Sequence, residues 1–298
     1  MKSRFIVFLC FGIQISAMEQ PEKASCEWDV QIFRSGNKIY ENLSNRYLKD
    51  SGIILKEKFV LDVGSKTGKV SHIMAQLAGP SGLVMGIDPD KNMISDANKR
   101  YGQKQQNLSF HQDSLETVES SQHSLKFNVA TVFNVFDVLE NKLEACKKIH
   151  KCLCPNGEIL VNVGSGEPFD LEVTREMITD IPLMGKILYS FGLSGALEKP
   201  YPTEEEYKNI FKTAGFDIIS FTKKMNTFVF ETSDEFSAMK RPVVMNSPEM
   251  KRLPWYMRGW VFNQFIEKFL TKLEQNEDGH YLYFVKEILI HAHKSEKK

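Results

Sequence analysis

One short segment carries the residues whose types and spacing best suit chemistry. Residues 61–68 read LDVGSKTG and join an apolar stretch to a segment with helical periodicity. Gly64 permits a tight turn, and Gly68 permits the backbone of the following helix to approach both a ligand and a sheet. Asp88 ends the next apolar stretch, where a carboxylate can accept hydrogen bonds from both hydroxyls of a ribose. A glycine turn followed by such an acid predicts a site for a cofactor that contains a nucleoside.

Two other nucleotide-binding patterns fit the same segment less well. A phosphate-binding loop of the form G-x-x-x-x-G-K followed by Ser or Thr needs one more residue, and Val70 stands where its hydroxyl residue belongs. A dinucleotide site needs G-x-G-x-x-G, but Lys66 occupies the second glycine position and the third glycine is missing. The spacing therefore favours a nucleoside cofactor of a different class.

The elements that must position these residues alternate between strand and helix. Short apolar runs predict strands at 58–63, 83–87, 108–112, 127–133 and 158–163. Apolar positions at helical spacing predict helices at 28–50, 70–77, 92–101 and 142–151. This alternation predicts an α/β fold with a doubly wound, mostly parallel sheet, whose ligands bind at the carboxyl edge of the strands.

The regular alternation of predicted strands and helices ends at about residue 165. Thr203 and Glu206 form a capping-box pattern at the start of a helix that Gly215 ends. The rest of the chain predicts strands at 216–223 and 227–230, helices at 234–240 and 261–273, and a last long strand at 281–293. We expect this last strand to complete the sheet, so that the chain after its first segment is a single domain.

The glycine segment resembles the first motif of the class I S-adenosylmethionine-dependent methyltransferases, acid-x-G-x-G-x-G. Asp62, Gly64 and Gly68 match this motif, and Lys66 replaces its central glycine. Further resemblances follow each predicted strand, at GID (86–88), QDS (112–114), VFN (132–134), LCPNG (153–157) and AGF (214–216). The resemblance implies a Rossmann-like, seven-stranded sheet with an antiparallel last strand, and S-adenosyl-L-methionine as cofactor.

The same resemblance implies roles for individual side chains. Asp88 would hold the ribose, Met93 would pack on the adenine, Asp113 would accept from the adenine amino group, and Asn134 would lie beneath the methionine part. The complete set implied to bind the cofactor is Asp62, Gly64, Ser65, Lys66, Gly68, Asp88, Met93, Asp113, Ser114 and Asn134. Lys66 in place of the central glycine could narrow the cofactor site or weaken cofactor binding. The hypothesis that we carry forward is that its ammonium pairs with the carboxylate of the cofactor.

Each of these residues also has a purely structural interpretation. A glycine at 64 or 68 is compatible with an ordinary turn, and Asp88 before Pro89 with the N-cap of a helix. Asp113 could be a solvated loop acid, and Met93 a core residue. The order of the motifs after successive strands favours the cofactor site, while a degenerate fold that serves only as a binding module remains the alternative.

The methyl acceptor is less clearly encoded, and no catalytic residue is predicted. Trp28 and the long helical tail resemble the branch that includes trans-aconitate and juvenile-hormone-acid methyltransferases, which implies a small carboxylic acid as acceptor. A carboxylate nucleophile needs no general base. Candidate substrate residues are Trp28, Tyr40, Phe136 as a wall, and Arg258 as an acid clamp, together with the apolar stretch 183–195. The alternative for Arg258, an exposed side chain at a packed helix start, is the favoured one.

The charge balance and the cysteine spacing bear on two other kinds of site, a nucleic-acid-binding surface and a metal site. The 298 residues include 38 Lys and Arg against 38 Asp and Glu, which argues against a nucleic-acid-binding surface. We expect a small-molecule partner and no integral membrane span; the sequence leaves the oligomeric state open. Cys146, His150, Cys152 and Cys154 lie close together, but this spacing is a weak metal signal, and no metal is predicted.

Residues 1–17 have the pattern of a secretory signal peptide. Lys2 and Arg4 precede an apolar run that ends at Ala17 and is too short to cross a membrane. Met18 is an alternative start, in which case we expect the cytoplasm in place of the secretory pathway. The predicted methyltransferase domain covers 25–298, with core motifs at 59–164 and substrate or cap elements at 25–52, 165–200 and 233–275.

Overall fold

A mostly parallel β-sheet forms the centre of the computed structural model, which describes residues 30–115, 127–166, 169–180 and 201–295. Its strands are β1 (Phe59–Val63), β2 (Leu83–Asp88), β3 (Leu108–Gln112), β4 (Phe127–Val132), β5 (Leu153–Gly164), β6 (Phe216–Phe230), β7 (Glu274–Gln275) and β8 (Tyr281–Lys294). The strand order is β3-β2-β1-β4-β5-β8-β6, and the short β7 pairs with β8. The first five strands are parallel, and β8 runs antiparallel to β5 and β6. The predicted fold class is confirmed.

Helices connect the strands and cover both faces of the sheet. They are α1 (Val30–Asp50), α2 (Lys69–Ala78), α3 (Lys91–Arg100), α4 (Lys142–Cys152), α5 (Phe169–Asp180), α6 (Glu204–Thr213), α7 (Ser233–Asn246), α8 (Pro248–Arg252) and α9 (Trp255–Leu270). The predicted capping box begins α6, because the Thr203 hydroxyl accepts from the backbone N–H of Glu206 and the Glu206 carboxylate accepts from that of Thr203.

Three apolar clusters hold these layers together. One face of the sheet packs on α4 and α6 through residues such as Ile149 and Phe211, and the other packs on α1, α2 and α3 through residues such as Tyr47 and Met74. A third cluster joins α5, α7 and α9 around Phe236 and Phe269. This third cluster forms a cap beside the sheet.

None of the helices in the described part of the chain is long and apolar enough to cross a membrane.

Several predicted boundaries differ from the observed ones. The two strands predicted at 216–223 and 227–230 are one strand, because β6 pairs with β8 along its whole length, from Phe216 opposite Lys294 to Phe230 opposite Tyr281. The α7 helix continues through Pro242, and α9 begins at Trp255, six residues before its predicted start. The LCPNG segment (153–157), which precedes the strand predicted at 158–163, belongs to β5, whose register with β4 shifts between Phe127 and Val129. The signal-peptide pattern and the stretch 183–195 lie outside the described residues.

Candidate active site

A narrow cleft opens where the strand order reverses. Strand β1 lies between β2 and β4, so the segments that follow β1 and β4 diverge at the carboxyl edge of the sheet, where ligands bind in such folds. The cleft is lined by Tyr40, Glu41 and Ser44 of α1, by Asp62, Gly64, Ser65, Lys66 and Val70, and by Phe133 and Asn134. Five of the predicted cofactor residues therefore line this cleft, and α1 contributes more of its wall than expected.

Asp62 is a buried anchor for the elements around the cleft. Its carboxylate accepts hydrogen bonds from the Ser71 hydroxyl of α2 and from the Thr131 hydroxyl of β4, the latter at 2.9 Å. Burial raises the pKa of Asp62, and the two hydroxyl donors oppose that rise. Asp62 thus ties β1 to the helix and strand that flank the cleft.

The two motif glycines are required by backbone conformation and by packing. Gly64 has φ +76° and Gly68 has φ +79°, values that disfavour any residue with a Cβ. A Cβ on Gly64 would lie 2.3 Å from the Val135 side chain, and one on Gly68 would lie 2.5 Å from Phe110. The expected turn is present, and the close neighbours of both glycines are side chains of the protein itself.

Asp88 lies at the end of β2 and binds the glycine segment directly. Its two carboxylate oxygens accept from the backbone N–H groups of Lys66 (3.1 Å) and Asp90 (2.9 Å). The N-cap interpretation is wrong for Asp88, because the Asp90 side chain caps α3 by accepting from Asn92 and Met93. Burial raises the pKa of Asp88. A carboxylate has about four acceptor positions, so the two backbone donors leave capacity for further hydroxyl donors.

Lys66 crosses the cleft from the β1 segment to the β4 segment. Its backbone has φ +52°, and its ammonium donates to the Asn134 carbonyl at 3.2 Å and lies 6.0 Å from the centre of the Phe33 ring. Burial lowers the pKa of Lys66, and the carboxylates of Asp88, Asp62 and Glu41 oppose that shift. The residue that replaces the central glycine therefore places its amino group inside the cleft.

Asn134 is held from both its backbone and its side chain. Its φ of +54° is left-handed, which Asn tolerates better than most residues. Its backbone N–H and side-chain oxygen pair with the Asn162 amide, both at 2.8 Å, and its side-chain nitrogen donates to the Ser44 hydroxyl. Two left-handed residues other than glycine, Lys66 and Asn134, thus meet in one cleft, and such strain concentrates at functional sites.

A buried glutamate on β8 extends this network, and sequence reasoning missed it. The Glu287 carboxylate is only 8% exposed and accepts from Asn162, Tyr47 and Asn226. Burial raises the pKa of Glu287. The available signal was a charged residue in the middle of the apolar run that forms β8, and an Asn in the apolar run that forms β5.

The remaining predicted cofactor residues lie along the β2 and β3 side. Met93 is 2% exposed on α3, yet it belongs to none of the three apolar clusters of the described residues. The Asp113 side chain accepts from the Ser114 backbone at 2.8 Å, and its own N–H donates to the Asp88 carbonyl at 3.2 Å. Asp113 and Ser114 directly follow β3, and the hydrogen bond from Asp113 places them beside the end of β2 that carries Asp88.

The predicted substrate residues do not form one group. Tyr40 lines the cleft, and burial raises the pKa of its phenol. The prediction of Phe136 as a substrate wall does not match its position, because its fully buried ring packs against Tyr207 and Phe211 in the core. The Arg258 guanidinium donates to the carbonyls of Lys251 and Leu253, at the end of α8. Trp28 lies outside the described residues.

The segment that contains Cys146 and His150 has a packing role in the fold. Cys146 is fully buried, and burial raises the pKa of its thiol to about 12. The His150 ring meets the Phe216 ring edge-on at 5.3 Å. Within the described ranges, no three His, Cys, Asp or Glu side chains are grouped as a metal site.

The residues around the cleft fit a nucleoside cofactor in chemistry but are closely packed. The Ser65 hydroxyl is buried without a hydrogen-bond partner, one of two such side-chain oxygens among the described residues, and it borders the cleft. Gly68 begins α2 without a side-chain cap, so the first N–H groups of that helix have no side-chain acceptor from this residue. The cavity has about 20 Å³, little more than one water needs, so a larger ligand must displace the Lys66 side chain.

Comparisons with known proteins agree with this geometry. Residues 54–215, more than half of the chain, match a family described as a methyltransferase domain. The demethylmenaquinone methyltransferase of Staphylococcus aureus is 25% identical over 217 residues, which cover 65% of this chain and 87% of that protein.

Two solved structures share the fold. A Bacillus halodurans protein described as a methyltransferase has a TM-score of 0.54 at 15% identity, over 85% of this chain and 99% of its own. The [4+2]-cyclase SpnF has a TM-score of 0.52 at 13% identity, over 86% and 82%.

These findings confirm the expected class of methyltransferase domain, for which S-adenosylmethionine is the expected cofactor. The trans-aconitate and juvenile-hormone-acid branch and the signal peptide stay predictions. The chain belongs to the methyltransferase-domain family that its residues 54–215 match.

Proposed function

We propose that this protein transfers a methyl group from S-adenosylmethionine to a small, apolar acceptor. The observation that carries the proposal is the position of Asp88. Its carboxylate lies at the end of β2, next to β1, accepts from the backbone of the glycine segment, and keeps acceptor capacity at the carboxyl edge of the sheet. The unpartnered hydroxyl of Ser65, on the same segment, supports a polar ligand there.

The proposed roles divide the site into three parts. Asp88 would bind the ribose hydroxyls, and Met93, Asp113 and Ser114 would form the adenine side. Ser65, Lys66 and Asn134 would surround the methionine part. When bound, the cofactor supplies an electrophilic methyl group on a sulfonium. The contribution of the chain is then to align the two reactants and exclude water, which is the main requirement for such a displacement.

The acceptor is proposed only as a chemical class. Tyr40 and Phe133 give the cleft an aromatic wall, which suits an apolar molecule. Equal numbers of acidic and basic residues do not favour a nucleic acid. A small carboxylic acid is the narrower hypothesis, since its carboxylate needs no general base. Demethylmenaquinone, the acceptor that the name of the S. aureus relative gives, is a second candidate.

A binding protein without transferase activity is the alternative, and Lys66 is the observation in its favour. The Lys66 side chain lines a cleft of about 20 Å³ and donates across it to the Asn134 carbonyl. The [4+2]-cyclase SpnF also has this fold, so the fold alone does not specify methyl transfer.

Cofactor binding and transfer can be measured separately. Isothermal titration calorimetry on the full chain should detect S-adenosylmethionine binding, which Asp88→Ala should weaken at least about tenfold, the loss of one or two charge-assisted hydrogen bonds. The exposed acid Asp217 provides a matched control, since Asp217→Ala should leave binding unchanged. Methyl-labelled cofactor should then label a panel of small acids and quinones. Binding without labelling of any acceptor would favour the binding protein, and unchanged affinity in Asp88→Ala would overturn the site.

A further inference from the structure

We infer that Lys66 shifts the preference of the cleft toward S-adenosylhomocysteine, the product form of the cofactor, and away from S-adenosylmethionine. The inference rests on the proposed function, because it concerns the ligand of that same cleft. It makes Lys66 a residue that sets the balance between donor binding and product binding.

The ammonium of Lys66 lies between the two segments that enclose the cleft. Lys66 Nζ lies 3.2 Å from the Asn134 carbonyl oxygen, so the side chain bridges the two segments that enclose the cleft. The cleft that this group lines has a volume of only about 20 Å³. Any ligand that enters between β1 and β4 must therefore displace the ammonium or lie against it.

The backbone of Lys66 restricts how far its ammonium can move from the cleft. Its backbone is fixed by the hydrogen bond from the Lys66 N–H to Asp88 and by the left-handed turn. Burial lowers the pKa of Lys66, and the carboxylates of Asp88, Asp62 and Glu41 oppose that shift. A displaced side chain therefore remains within about 10 Å of the cleft, because a lysine side chain is only ~6 Å long.

The two ligands differ in charge at sulfur. S-adenosylmethionine and S-adenosylhomocysteine share the adenine, ribose, carboxylate and ammonium, and they differ in the methyl group and the positive charge on sulfur. Contacts to the shared groups, including a pairing of Lys66 with the carboxylate, cancel in the ratio of affinities. Repulsion between Lys66 and the sulfonium does not cancel. Two like charges about 10 Å apart at an effective permittivity of about 20 change the ratio roughly tenfold.

The test is calorimetric titration of the full chain with both ligands. Lys66→Met removes the charge at similar length and should raise the affinity for S-adenosylmethionine relative to S-adenosylhomocysteine about tenfold. Lys66→Arg keeps the charge and should keep the wild-type ratio. Lys69→Met removes a partly exposed cation from the first turn of α2 and should change the ratio by less than about twofold, because solvent screens that charge.

The outcomes separate this inference from the proposed function. If both ligands bind and Lys66→Met leaves their ratio unchanged, the inference is wrong and the proposed function stands. If neither ligand binds to the wild type or to the folded variants, the proposed function fails and the inference fails with it. A Lys66→Gly variant, which relieves the left-handed backbone, should give the same ratio as Lys66→Met.

Discussion

Gly68→Ala should destabilise the protein by about 2–5 kcal/mol, because the substitution meets two separate costs. The left-handed backbone at φ +79° costs a residue with a Cβ about 1–2 kcal/mol. The new Cβ would also lie 2.5 Å from Phe110 and 2.9 Å from Ala97. Both neighbours are buried, so relief requires movement in a packed core, which costs a further ~1–3 kcal/mol.

Gly52→Ala is the matched control for the backbone cost. Gly52 has φ +68°, but a Cβ there meets nothing within 4 Å, so this variant should lose only about 1–2 kcal/mol. Urea denaturation followed by circular dichroism and by tryptophan fluorescence would measure both variants. Coincidence of the two signals tests whether unfolding is two-state.

A second substitution isolates the packing cost. Phe110→Leu removes the ring atoms that approach Gly68, so Gly68→Ala should cost less in the Phe110→Leu background than in the wild type. If Gly68→Ala costs no more than Gly52→Ala, the close packing of Gly68 against Phe110 is refuted. Equal costs in both backgrounds would refute it too.

Two further predictions concern the buried carboxyl groups. Thr131→Val should destabilise the protein by about 1–3 kcal/mol in urea denaturation, since it removes one of the two hydroxyl donors to the buried Asp62; an unchanged midpoint would contradict this role. Burial raises the pKa of Glu287 above its ordinary 4.5, so the native state binds this proton more tightly and the wild type loses stability as the pH rises above about 4.5. Glu287→Gln lacks this contribution, so its stability relative to the wild type should increase from pH 4.5 toward neutral pH, and a constant difference would contradict the assignment.

The sequence predicted the alternation of strands and helices because local patterns determine it. Apolar runs such as LVMGI and the Thr203 capping box are contained within a few residues, so their structures could be inferred without knowing the fold. The extent of β6 could not be inferred, since a single strand of this length depends on β8, which lies some fifty residues further along the chain.

In the candidate site, too, contacts that depend on distant parts of the chain could not be predicted from the sequence. Asp88 and the glycine segment follow consecutive strands, so the topology brings them together once the sheet is predicted. Glu287 and Asn162 are separated by 125 residues, and only the pairing of β5 with β8 makes them neighbours. Phe136 follows β4 as a cleft residue would, but a short helical turn directs its ring into the core. The replacement at Lys66 was visible in the sequence, whereas its contact with Asn134 was not.

The most direct test of the account is the affinity of the full chain for S-adenosylmethionine, measured by calorimetry for the wild type and Asp88→Ala. The account predicts saturable binding by the wild type and at least about tenfold weaker binding by a folded Asp88→Ala variant, the loss of one or two charge-assisted hydrogen bonds. Equal affinities of the two proteins, or no binding by the wild type, would contradict it.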